Sequence, residues 1–112
     1  MEKIYNKLVR DNIPEIISKD NRNPITRILE DEEYKQELEK KLLEEYNEVL
    51  ETKTTEERIE ELADMLDIIQ SLATLENKTL KDVIEVAEVK RLKRGGFEKK
   101  IFLERVLDID GQ

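Results

Sequence analysis

The chain contains no cysteine and no histidine. The first absence excludes disulfides, zinc–thiolate sites and a thiol nucleophile. The second removes the commonest general base and the Ser-His and Cys-His nucleophile pairs, so any acid–base chemistry falls to Asp, Glu, Lys or Tyr. Breakers are few in 112 residues: Pro14, Pro24, Gly95, Gly96 and Gly111. With no repeat, linker or low-complexity stretch, one domain over residues 1–112 is expected. No apolar run approaches the roughly 20 residues that span a bilayer. Met1 to Arg10 lacks the apolar stretch of a signal peptide, so a soluble cytoplasmic protein without a membrane partner is expected.

What the chain has in excess is negative charge, and it is unevenly placed. The net charge is −8. Residues 1–29 carry six Lys/Arg and four Asp/Glu, residues 30–76 five and seventeen, and residues 77–112 nine and seven. The acidic middle argues against a nucleic-acid partner, whose phosphates need cations. An acidic centre between basic flanks suits a metal ion bridging to an anionic substrate, and equally a solvated helix surface.

The hydrophobic pattern predicts helices throughout. Asp11 or Asn12 before Pro14 starts a short helix that Ser18 to Arg22 ends. Asn23-Pro24 marks a turn and Ile25 to Leu29 an irregular passage. Asp31 is the expected N-cap of a helix over 32–51, with Tyr34, Leu38, Leu42, Tyr46 and Val49 as its apolar stripe. Thr54-x-x-Glu57 is a capping box for a helix over 55–76 with Ile59, Leu62, Leu66, Ile69 and Ala73 facing the core. Thr79-x-x-Asp82 starts another over 80–94, turning Leu80, Val83, Ile84 and Ala87 inward and stopping at Gly95-Gly96. The stretch Lys100 to Val106 is read as one further short element. A loop of only Thr52 to Thr54 makes the two long helices antiparallel neighbours. The expected fold is an all-α antiparallel bundle.

Not all acids fit a solvated surface. At 100° per residue, Glu45 falls inside the apolar stripe of its helix, with Glu48 and Glu44 progressively outside its edge. On the next helix Glu61 falls between Ile68 and Leu72, and Asp64 at the apolar edge beside Leu75. Between residues 42 and 76 the only cations are Lys53 and Arg58. Unpaired buried carboxylates are costly and facing ones repel. A hard divalent cation offsets both effects, and Mg²⁺ or Mn²⁺ takes an all-oxygen site. Salt bridges from another segment or subunit are the competing explanation. The apolar arc of the second long helix covers about 240°, against the usual 100° or so. That width points to burial on two sides and a homodimer or dimer of dimers.

Glu44-Glu45-x-x-Glu48 followed by Glu61-x-x-Asp64 resembles the signature of the MazG-like all-α nucleotide pyrophosphohydrolases. Two further stretches sharpen the resemblance to a small phosphoribosyl-ATP-pyrophosphohydrolase-like branch: Tyr5-Asn6-Lys7-Leu8-Val9-Arg10-Asp11-Asn12-Ile13-Pro14 and Arg94-Gly95-Gly96-Phe97. The resemblance implies Mg²⁺ held by Glu45, Glu48, Glu61 and Asp64. It implies catalytic roles for Glu45 and for Glu44, the latter supporting a ligand or orienting the attacking water. It makes Lys7, Arg10, Lys90 and Arg94 candidates for substrate phosphates. It implies a bundle completed by oligomerisation, and a nucleoside triphosphate cut to a monophosphate and pyrophosphate. The alternatives are phosphoribosyl-ATP itself as substrate, or a non-catalytic helical module that binds nucleotide or protein. Gly95-Gly96 serves either a helix C-cap or an anion contact. Tyr34, Tyr46 and Phe97 stack on a base or simply fill the core.

Overall fold

A computed structural model describes residues 1–109 and contains four helices and, among those residues, no strand: α1 (Ile13–Lys19), α2 (Asp31–Glu51), α3 (Thr55–Leu75) and α4 (Leu80–Arg94). No helix among the described residues is long and apolar enough to cross a membrane. The chain divides into two compact units, one running from Met1 to Leu80 and one beginning at Lys81.

In the first unit, α2 and α3 pack together as a hairpin. Leu38 and Val49 of α2 and Ile68 and Ala73 of α3 are its buried apolar side chains. The connection is fixed by local chemistry. Thr54 is the N-cap of α3 and its side chain accepts the Glu57 N–H at 3.1 Å, while Glu57 Oε2 accepts the Lys53 N–H at 3.0 Å. This reciprocal pair is worth about 1 kcal/mol. Across the loop, Thr52 Oγ1 and Arg58 Nη1 both donate to the Val49 carbonyl, one of the orphaned acceptors at the end of α2.

Asparagine does the work of glycine at two helix ends. Asn21 and Asn77 adopt φ of +57° and +59°, a left-handed conformation that Asn tolerates. Around Asn77 the Lys78 N–H reaches Ala73 O and the Asn77 N–H reaches Thr74 O; around Asn21 the Arg22 N–H reaches Ile17 O and the Asn21 N–H reaches Ser18 O. Both are Schellman closures. Gly95, at φ +82°, ends α4 by donating to Arg91 O. That is the C-cap use of the Gly-Gly pair.

Three expectations are corrected. Glu30, not Asp31, is the N-cap of α2, and its side chain makes no capping bond. The helical ladder starts one residue earlier because the Tyr34 N–H bonds to Glu30 O. Arg27 secures the approach by a two-pronged pair with Glu33 at 3.0 and 2.6 Å, which holds the Glu33 carboxyl below its usual range. The tail from residue 101 to 109 is neither helix nor strand. Finally, α4 carries no buried residue, and Val83 and Ile84 are exposed. Periodicity identifies the apolar side of a helix, but burial needs something to cover that side.

Candidate metal centre

An antiparallel hairpin pairs residues equidistant from its turn. Glu45 and Glu61 each lie eight residues from Lys53, so they meet across the α2–α3 seam at the same height. Asp64, one turn beyond Glu61, joins them. One carboxylate oxygen from each of Glu45, Glu61 and Asp64 lies within 4.8 Å of the other two. Glu48, one turn after Glu45 on α2, is exposed, and its carboxyl bears on both Glu45 and Glu61. Three of the four acids expected to form the site therefore converge, with Glu48 exposed beside them.

Glu45 is the most constrained of them. Only 8% of its surface is exposed, and it is the one buried charged residue among those described. Its Oε2 has no hydrogen-bond donor, and neither does Glu61 Oε2. The nearest cation on its own helix is Lys41, one turn back, with Nζ 4.0 Å from Glu45 Oε1 and a side chain only 21% exposed. Lys41 lies just before residues 42–76, where Lys53 and Arg58 are the only cations, and an i, i+4 Lys–Glu pair is an ordinary helix contact.

The electrostatics follow from this crowding. Burial, followed by hydrogen-bonding proximity to Glu61 and Glu48 and the charges of Glu48 and Asp64, pushes the Glu45 carboxyl up to about 7. Hydrogen-bonding proximity to Glu45 is the largest single influence on Glu61 and lowers it. The contact with Glu48, partial burial and the neighbouring charges outweigh it, so Glu61 is raised as well. A carboxylate group that binds a proton this readily is a strong site for any competing cation.

The remaining candidates divide. Arg10 comes to the site: Nη2 donates to Asp64 Oδ1 at 2.7 Å and Nη1 to Asp67 Oδ2 at 2.5 Å. These bonds, to Asp67 and then Asp64, hold its guanidinium in the charged form. Asp67, on the polar side of the wheel, was not among the candidates; nothing local in the sequence marks a pair separated by 57 residues. Lys7 lies 5.7 Å from the Tyr5 ring centroid, which Lys3 also approaches at 5.1 Å. Glu44 is exposed and outside the triad. Lys90 and Arg94 belong to the second unit, exposed and one turn apart on α4. Tyr34 is half-buried, and Tyr46 and Phe97 are exposed.

Comparison with protein-family models, with curated protein sequences and with solved structures returned no match. The site is therefore argued from its own geometry and from the sequence motifs.

The donor set fits a hard divalent cation. It is all oxygen, it comes from two helices, and it includes two buried oxygens with no partner of their own. A hard divalent cation held by these three acids would offset the repulsion that raises Glu45 and Glu61. The absence of histidine and cysteine leaves no nitrogen or sulfur ligand for a softer metal.

Proposed function

We propose that the chain is a Mg²⁺-dependent pyrophosphohydrolase of the MazG-like kind, which cuts a nucleoside triphosphate to the monophosphate and pyrophosphate, with Mn²⁺ as an alternative metal. The observation that carries this reading is that Glu45 and Glu61 each hold a buried carboxylate oxygen without a hydrogen-bond partner and, with Asp64, bring one oxygen apiece within 4.8 Å of one another. Buried carboxylate oxygens left without a donor suit contact with a ligand. The motif spacing and the two terminal hallmarks select the reaction among those that a carboxylate-bound metal serves.

In this reading Glu45, Glu48, Glu61 and Asp64 hold the metal, which supplies charge neutralisation for the triphosphate. Glu44, solvent-facing and adjacent to Glu45, orients water for attack on the α-phosphorus and receives its proton. The P–O bond to the bridging oxygen breaks, and pyrophosphate leaves. Lys7, Arg10, Lys90 and Arg94 are the cations available to the phosphates. Positioning and charge stabilisation carry such a reaction without a covalent intermediate. The test is pyrophosphate release from a panel of nucleoside triphosphates, phosphoribosyl-ATP included, with Mg²⁺ and with EDTA. Metal-dependent turnover of at least one is expected. No turnover of any of them, with no thermal stabilisation by nucleotide plus Mg²⁺, overturns the proposal.

The same proposal includes a homo-oligomer. Two packed helices with four buried apolar side chains make a small core, and ordering 80 residues costs more than such a core returns. Along α3, Ile59, Leu62 and Leu66 remain 59%, 44% and 48% exposed, and Leu43, Tyr46 and Leu50 line an exposed flank of α2. A second hairpin laid on these faces completes a four-helix core. Light scattering at micromolar concentration is expected to give at least a dimer. The double change Leu62→Glu and Leu66→Glu is expected to shift it to monomer or unfolded chain. A wild-type monomer with full helicity contradicts this part of the reading.

A further inference from the structure

Arg10 stands apart from the other cations. It is the only residue of the N-terminal segment whose side chain forms ion pairs with the α2–α3 hairpin, and it grips a member of the candidate metal triad directly. We infer that Arg10 is a tethered counter-ion which competes with the divalent metal for Asp64, so that metal binding releases the N-terminal segment from the hairpin.

The geometry supports this in three ways. First, the guanidinium forks across Asp64 and Asp67, one turn apart on α3, and neutralises the outer edge of the acidic cluster. Asp64 Oδ1 accepts from that fork, which leaves it a poorer ligand. A dication beside a guanidinium also meets direct repulsion. Second, residues 1–10 contain no helix or strand, and Met1, Ile4 and Tyr5 are exposed. Leu8 and Val9 are only half-buried, so the two ion pairs are the segment's most specific anchor. Third, the arginine begins the turn into α1, since the Ile13 N–H bonds to Arg10 O. The Arg10 carbonyl is thereby held at the start of α1, while the residues before it have no such backbone anchor. A guanidinium freed from Asp64 remains at the rim, where a phosphate bound to the metal presents its oxygens. One side chain then serves two anions in turn, the carboxylate before loading and the phosphate after it. The inference rests on the metal reading of Glu45, Glu61 and Asp64.

Two measurements test it. The first is calorimetric titration of the full chain with MgCl₂ in wild type, Arg10→Gln and Lys3→Gln. Lys3 sits over the Tyr5 ring and makes no ion pair, so it controls for loss of a positive charge alone. Arg10→Gln is expected to tighten Mg²⁺ binding about five- to tenfold, and Lys3→Gln less than twofold. Unchanged or weaker binding in Arg10→Gln, or equal tightening in both variants, overturns the inference while leaving the metal site in place. Absence of Mg²⁺ binding in the wild type and both variants removes the metal site and the inference with it. The second measurement needs no variant. Trypsin cleavage of the wild type after Lys7 is expected to accelerate several-fold as Mg²⁺ saturates the protein. A rate independent of Mg²⁺ under saturating conditions counts decisively against release of the segment.

Discussion

Replacing Glu61 by glutamine is expected to lower Mg²⁺-dependent pyrophosphate release by roughly 100-fold or more, the scale on which metal sites respond to loss of ligand charge and orientation. The change keeps the size and shape of the side chain, so the α2–α3 seam retains its packing. It removes one negative charge from a cluster of four and replaces an orphaned acceptor oxygen with an amide that coordinates a hard cation weakly. Glu60→Gln is the matching control. It sits one residue away on the same helix, is exposed, and lies outside the triad. Its activity should stay within twofold of wild type. Wild-type turnover in Glu61→Gln would remove Glu61 from the metal site. Equal losses in both variants would mean that bulk acidity rather than a built site governs the reaction. Raising Mg²⁺ tenfold separates affinity from chemistry: partial recovery in Glu61→Gln is expected if the ligand mainly holds the ion.

The residues most legible in the sequence are those whose role is set within one or two helical turns. Thr54 and Glu57 announce the start of α3, and Gly95 the end of α4, because capping is local chemistry. Glu45 and Glu61 stand out on a helical wheel because an acid inside an apolar stripe violates the period of its own helix. The short loop then places them opposite each other without further information. What the wheel does not contain is anything that depends on segments meeting across long separations. The Arg10 fork onto Asp64 and Asp67 is of this kind. It also changes the account of Asp64, which shares a cation instead of waiting for one. The apolar faces of α3 and α4 illustrate the other boundary. Leu62, Val83 and Ile84 are apolar at helical spacing, yet exposed in the single chain. Helical spacing marks a face as apolar; it does not specify an element that covers it.

The second large effect concerns pH and stability in the absence of metal. The Glu45 carboxyl is raised from its ordinary value near 4.5 to about 7 in the folded chain, by burial first and then by its acidic neighbours, and Glu61 is raised with it. Between these two values the folded state holds a proton that the unfolded state has released. Stability is therefore full below about pH 4.5 with respect to this group and falls as pH rises through about 7. The loss attributable to Glu45 is about 1–3 kcal/mol, or a melting temperature lower by roughly 5–15 °C. Glu45→Gln is the informative variant, because it mimics the protonated acid at every pH. In EDTA at pH 8 it is expected to be more stable than wild type by that same amount. At pH 4.5 the two should melt together. Saturating Mg²⁺ should stabilise the wild type at pH 8 and leave Glu45→Gln nearly unchanged, while pyrophosphate release by the variant is lost. Thermal melts at fixed protein concentration, run at pH 4.5 and 8 with and without Mg²⁺, read all of these outcomes. A wild type whose stability in EDTA is flat or rising between pH 5 and 7.5 would contradict the strained carboxylate pair, because a group that holds its proton more tightly in the folded state makes stability fall across that range. A falling slope reports acids left buried and crowded in the metal-free chain, and a rising one acids already satisfied within it.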